Sequence, residues 1–112
     1  MVENMYFKVL PAGEGKTRWL VEKAFNEINK GNTVVLLSKD DEEFDKFTMY
    51  YRTLFAMYCP VKLAKDIETI PNNAIVLIDN FMFKLEKNVF DVKAVKSKGA
   101  AIFATIEVKL TT

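Results

Sequence analysis

Three stretches of this chain are apolar at nearly every residue instead of every second one. Thr33–Ser38 reads TVVLLS, Ala74–Asp79 reads AIVLID and Ala100–Ile106 reads AAIFATI. A strand with one face in water alternates, whereas a strand covered on both faces does not. Short runs of this kind, rich in β-branched residues, predict strands inside a parallel sheet. A shorter run, Met5–Leu10, precedes them and ends at Pro11, where a ladder that needs an N–H must stop. Val61–Ala64 is a further short strand candidate.

Helical periodicity lies between these runs. In Lys16–Asn29, Leu20, Val21, Ala24, Phe25 and Ile28 share one face, Glu22, Lys23 and Glu27 lie elsewhere, and Gly31 is placed to end the helix. Asp40-Asp41-Glu42-Glu43 opens a second helix, expected to run to about Tyr58, with acids where the dipole favours them. Asp40 and Glu43 have capping-box spacing. The acids could also be read as a metal cluster, although a solvated helix start accounts for them. Phe44, Phe47, Tyr51, Leu54, Phe55 and Tyr58 form its apolar face, with Met49, Tyr50 and Met57 partly off it. That surplus fits satellite packing or a partner surface. Asp66–Ile70 reads as a turn or a single helical turn, and Lys84–Lys98 as a weaker third helix carrying Leu85, Val89, Phe90, Val92 and Val95.

Strand and helix thus alternate along the whole chain. The expected fold class is α/β: a single domain over residues 1–112, a parallel sheet flanked by helices. Right-handed crossovers bring every strand's C-terminal end to one edge, where ligands of such sheets bind. Gly13–Thr17, Asp79 and Thr105 all fall at that edge.

Composition narrows the chemistry. The chain has no histidine and one cysteine, Cys59, so it contains neither a histidine-dependent nucleophile nor an internal disulfide. A buried filler near a helix end is the plain account of Cys59. The net charge of +1 favours no global attraction to nucleic acid or membrane. Arg18 and Arg52 are the only arginines. No run is long and apolar enough for a membrane span, and MVENMYFKV does not read as a secretion signal, so a soluble, cytoplasmic protein is expected.

The stretch Tyr6–Thr17, YFKVLPAGEGKT, has the order strand, glycine loop, helix. Backbone N–H groups converge on phosphate oxygens only where the chain turns tightly and comes close, which Gly13 and Gly15 permit. The helix adds its free N–H groups and positive dipole end. Lys16 is the group to reach the β and γ phosphates, and the Thr17 hydroxyl the group to ligate Mg²⁺. Leu10 stands where the full G-x-x-x-x-G-K-[ST] pattern has its first glycine. A glycine turn that happens to end in Lys-Thr has the same local sequence. Asp79, ending an apolar strand, is the matching metal carboxylate or else a cap for the next helix or turn. Thr105 is placed to touch a γ-phosphate or its attacking water, or is a plain strand end.

The segments PAGEGKTR, IVLIDN and IFAT resemble the P-loop NTPases of the additional-strand, RecA-like division, and look closest to the first RecA-like domain of superfamily 2 helicases and to viral motor ATPases. The resemblance covers roughly residues 6–106. It implies a site for ATP (or another NTP) with Mg²⁺, and a sheet whose last main strand lies between the first and the third. It places Gly13, Glu14, Gly15, Lys16, Thr17 and Arg18 around the phosphates, and Thr17 and Asp79 at the metal. Lys16, Asn80 and Thr105 fall at the catalytic positions. Thymidine kinases share the core, but their zinc-bearing segment needs cysteines that this chain lacks. Two departures stand out. Asn80 replaces the glutamate that polarises the attacking water, with Glu14 and Glu107 as substitutes out of the family's position. These 112 residues leave no room for the second RecA-like domain that supplies an arginine in helicases, so an arginine is expected from a neighbouring molecule, with Arg52 as its candidate, or locally from Arg18.

The expectation is a small NTP-binding domain with slow or partner-dependent hydrolysis, in nucleic-acid metabolism, working in a homo-oligomer or a larger motor or replication complex. The alternative is a degenerate, non-hydrolysing P-loop module that docks on such a protein through Phe47, Met49, Tyr50 or Met57. A nucleoside or nucleotide kinase is weaker, for want of a lid and an acceptor pocket. For nucleic acid itself, the only feature is the lysine-rich third helix, Lys84, Lys87, Lys93, Lys96 and Lys98, which a solvated face explains equally.

Overall fold

The structure is a computed structural model, and it describes residues 4–11, 13, 15–88 and 90–108. Five strands form one sheet: β1 (Met5–Pro11), β2 (Val34–Leu37), β3 (Lys62–Ala64), β4 (Ile75–Ile78) and β5 (Ala101–Val108). Their order across the sheet is β1-β5-β4-β2-β3, and every pairing is parallel. The four longer strands therefore lie with the last between the first and the third, and the short β3 extends the far edge beside β2. The helices are α1 (Lys16–Asn29), α2 (Asp41–Phe55), α3 (Phe81–Glu86) and α4 (Val92–Lys98).

The continuous apolar runs are buried because both sheet faces are covered. All four residues of β2 and of β4 are buried. Alternate residues feed two cores. Val34, Leu36, Ile75, Leu77 and Phe103 pack with Leu20, Val21 and Ala24 of α1 and Phe47 and Tyr51 of α2. Val35, Leu37, Val76, Ile78, Ile102 and Ala104 pack with Phe81, Phe90 and Val95 on the other face. Cys59 is buried in the first core.

Three boundaries differ from expectation. β1 runs through Pro11, which pairs in register with Val108. It can do so because β1 has a partner on one side only, so the missing N–H costs no ladder bond. α2 stops at Phe55, since Ala56 takes a left-handed conformation at φ 52°. Leu54, Met57 and Tyr58, beyond or beside the buried stripe, are consequently exposed. The expected third helix is two, interrupted where Asn88 adopts φ 54°. Val89 lies outside the described residues. The stretch after β3 forms a short 3₁₀ turn, Ile67–Thr69, closed by a capping box between Asp66 and Thr69.

Among the described residues, no helix is long and apolar enough to cross a membrane.

Candidate functional site

Because all strands run the same way, β1, β4 and β5 deliver the ends of three separate segments to one edge. After β1 the chain turns through Gly13, at φ 77°, and Gly15, at φ 92°. A Cβ on either would meet nothing within 4 Å. Backbone conformation, not crowding, thus demands glycine here: an L side chain at positive φ is strained. Gly15 is the residue from which α1 starts, and among the described residues no side chain caps that helix. Its first N–H groups remain available to an anion. Glu14 lies outside the described residues.

Lys16 does not point into solvent. Its Nζ lies 2.9 Å from Glu107 Oε1, and only 15% of the lysine side chain is exposed. Thr17 turns the other way and donates from Oγ1 to Asp79 Oδ2 at 3.4 Å. Asp79 follows the last residue of β4. Its second oxygen, Oδ1, accepts from the Thr105 hydroxyl at 2.5 Å. Thr105 is fully buried, and its oxygen also accepts the backbone N–H of Asn80 at 2.8 Å. Four segments thus converge on Asp79: the start of α1, the end of β4, the turn into α3 and the middle of β5, where Thr105 lies inside the strand and not at its end as expected, because β5 runs on to Val108.

Asn80 sits at φ 55°, ψ 61°, and its side chain makes no capping bond to α3. Asparagine is among the few residues that tolerate this left-handed region. A glutamate would be strained there. Arg18 is exposed and directs Nε to Glu22 Oε1 at 3.3 Å, along α1 and away from Asp79. Arg52 is exposed in the last turn of α2, at the end of that helix remote from this edge.

Two lysines that read as surface charge in the sequence turn inward, and one of them, Lys84, frames the site. Lys84 is only 6% exposed. Its Nζ lies 2.8 and 2.9 Å from the two oxygens of Glu43 and also donates to the Asp79 carbonyl. Lys98 likewise turns inward, donating to the carbonyls of Ile67 and Glu68. The lysines of this region therefore do not form a uniform solvated stripe. The acidic start of α2 divides in the same way. Asp40 caps the helix by accepting from the Glu42 N–H, while Glu43, the expected capping-box partner, turns to Lys84. The available signal is spacing: Lys84 lies one helical turn beyond Asn80, so it can fold back beneath Asp79.

Among the described residues, no three acidic, cysteine or histidine side chains gather as a metal site. Beside Thr17 and Asp79 opens a hollow of about 320 Å³, bordered by Asp40, Glu43, Lys46 and Phe47. On the outer side of α2, Met49, Tyr50, Leu54 and Met57 are exposed, with Met49 at 65%. Phe47 is 3% exposed and belongs to the core, so it cannot serve as a docking residue.

Comparison of the chain with family models, with curated proteins and with solved structures finds no match.

Proposed function

We propose that this protein binds a nucleoside triphosphate, ATP or another NTP, with Mg²⁺ at the C-terminal edge of its sheet, in the manner of the additional-strand P-loop NTPases. Hydrolysis is slow or depends on a neighbouring molecule. The observation that carries this is one meeting of side chains. Thr17, at the start of the helix after the glycine loop, and Asp79, 62 residues on and directly after β4, stand 3.4 Å apart. A glycine turn with no such role needs neither a hydroxyl nor a carboxylate at that point.

The donor set suits the metal. Mg²⁺ prefers oxygen ligands and takes few from the protein, the rest coming from water and phosphates. Thr17 and Asp79 would hold it, and when bound it would neutralise phosphate charge. Lys16 would leave Glu107 for the β and γ phosphates, and the N–H groups at the start of α1 would face their oxygens. Thr105 holds Asp79 from behind, so the carboxylate keeps one orientation. Phosphoryl transfer depends chiefly on such placement.

The test is calorimetric titration of Mg·ATP into the wild type and Lys16→Ala, with circular dichroism confirming that both are folded. Binding on the order of micromolar to the wild type alone is the expected result. Equal binding by the two proteins rejects the assignment.

The exposed apolar face of α2 favours a second function, a module that docks on a motor or replication protein and uses nucleotide optionally. Absence of Mg·ATP binding to the wild type would leave that one standing.

A further inference from the structure

We propose that Glu107 is the carboxylate that orients the attacking water and accepts its proton, a role that Asn80 cannot fill. This rests on the nucleotide site described above. An amide can hydrogen-bond to water but is no base, and the conformation of position 80 disfavours the glutamate that would be one.

Among the described residues, three other carboxylates at this edge have partners of their own in the frame of the site. Asp79 has one oxygen on Thr17 and the other on Thr105. Glu43 is held by Lys84. Asp40 caps α2. Glu107 differs in position. It lies two residues beyond Thr105 on β5, so both side chains leave the same face of the strand. It is paired in register with Leu10 of β1, level with the point at which the chain leaves the sheet for the glycine loop. Its Oε1 rests 2.9 Å from Lys16 Nζ, and 32% of its side chain is exposed, so water has access.

A phosphate arriving at the loop competes with Glu107 for the Lys16 ammonium. Once Lys16 turns to the phosphates, Glu107 is released beside the terminal phosphoryl group. In the step itself, the water oxygen forms a bond to the γ phosphorus while its proton passes to the Glu107 carboxylate. The bond from the γ phosphorus to the β–γ bridging oxygen breaks, and its electron pair leaves with the nucleoside diphosphate. Glu107 then gives the proton to solvent and returns to Lys16 as inorganic phosphate departs.

The experiment compares wild type, Glu107→Gln, Glu107→Asp and Lys16→Ala. Each is titrated with Mg·ATP by calorimetry and assayed for single-turnover hydrolysis with protein in excess. Glu107→Gln is expected to bind Mg·ATP at least as tightly as wild type, because Lys16 has lost its competitor, yet to hydrolyse it at least ~10²-fold more slowly. Glu107→Asp, shorter by one methylene, falls between the two. A purely structural ion pair would not separate binding from hydrolysis in this way. Three results overturn the assignment while leaving nucleotide binding intact. One is hydrolysis by Glu107→Gln within a few-fold of wild type. Another is weakened binding by Glu107→Gln. The third is a wild type that binds but turns over no faster than Lys16→Ala. A wild type that binds no Mg·ATP rejects the nucleotide site, and this role with it.

Discussion

At the scale of single residues, the most constrained group in the site is the Thr105 hydroxyl. It is buried, receives the Asn80 N–H and donates to Asp79. Thr105→Val keeps the shape but removes both bonds, leaving a donor and a carboxylate oxygen without their partner. A loss of about 1–3 kcal/mol is expected, whereas Thr105→Ser, which keeps the hydroxyl, loses less. Urea unfolding at unchanged m-value checks this, and equal losses in the two variants would refute the network. Single residues are also the level at which the sequence is most informative about the site. Lys16, Thr17 and Asp79 are legible because each has a type and a place relative to a strand end or glycine turn, whereas Thr105 lies inside β5 and not at its end. What Lys16 touches is not, because a long side chain's partner depends on strand register. Leu10 must be paired with Glu107 before Glu107 and Lys16 can be known as neighbours.

Elements repeat that division between pattern and partner. The strands are readable because burial on both faces abolishes alternation, and α1 because its five apolar positions lie on one face. The third helical region is not, because its lysines look like a stripe until their partners are known. Two of them turn inward, and a left-handed Asn88 divides the helix. The Lys84–Glu43 pair joins α3 to α2 beneath Asp79, and its two members differ in burial, with side chains 7% and 27% exposed. That asymmetry decides which loss is worse. Glu43→Ala leaves a buried ammonium facing only the Asp79 carbonyl. It is expected to cost about 2–4 kcal/mol, below the usual 3–5 for a broken buried pair because Glu43 partly meets water. Lys84→Met leaves a carboxylate that water can reach and costs about 1–2 kcal/mol less. The double variant Glu43→Ala/Lys84→Met should lose less than the two single losses together. Denaturant titration of all three, against wild type, checks the order; additive losses would mean that the two side chains are not coupled.

On the scale of the whole molecule, stability is tied to pH through the first core, at the point where α2 ends. Burial pushes the Cys59 thiol up from its ordinary value, with the Val61 backbone hydrogen bond opposing it less strongly. Burial also pushes the Tyr51 phenol up, with the Cys59 charge adding to it. Both groups are neutral acids whose pKa is higher folded than unfolded. Above the ordinary thiol pKa of roughly 8.5, the unfolded chain releases a proton that the folded chain keeps. The unfolded state then binds fewer protons, so the free energy of unfolding falls as pH rises. The stabilisation is complete below that pH and is lost progressively above it, first through Cys59 and then through Tyr51. Cys59→Ala removes the thiol and the charge that raises Tyr51, so its stability should fall less steeply between about pH 8 and pH 9.5. Trp19, the only tryptophan, packs edge-on against Phe103 in this core at 6.1 Å and reports the transition by fluorescence. The two proteins differ at this one side chain, so the difference between the two slopes isolates the Cys59 contribution. Parallel slopes would show that the buried thiol is not what links this core to pH.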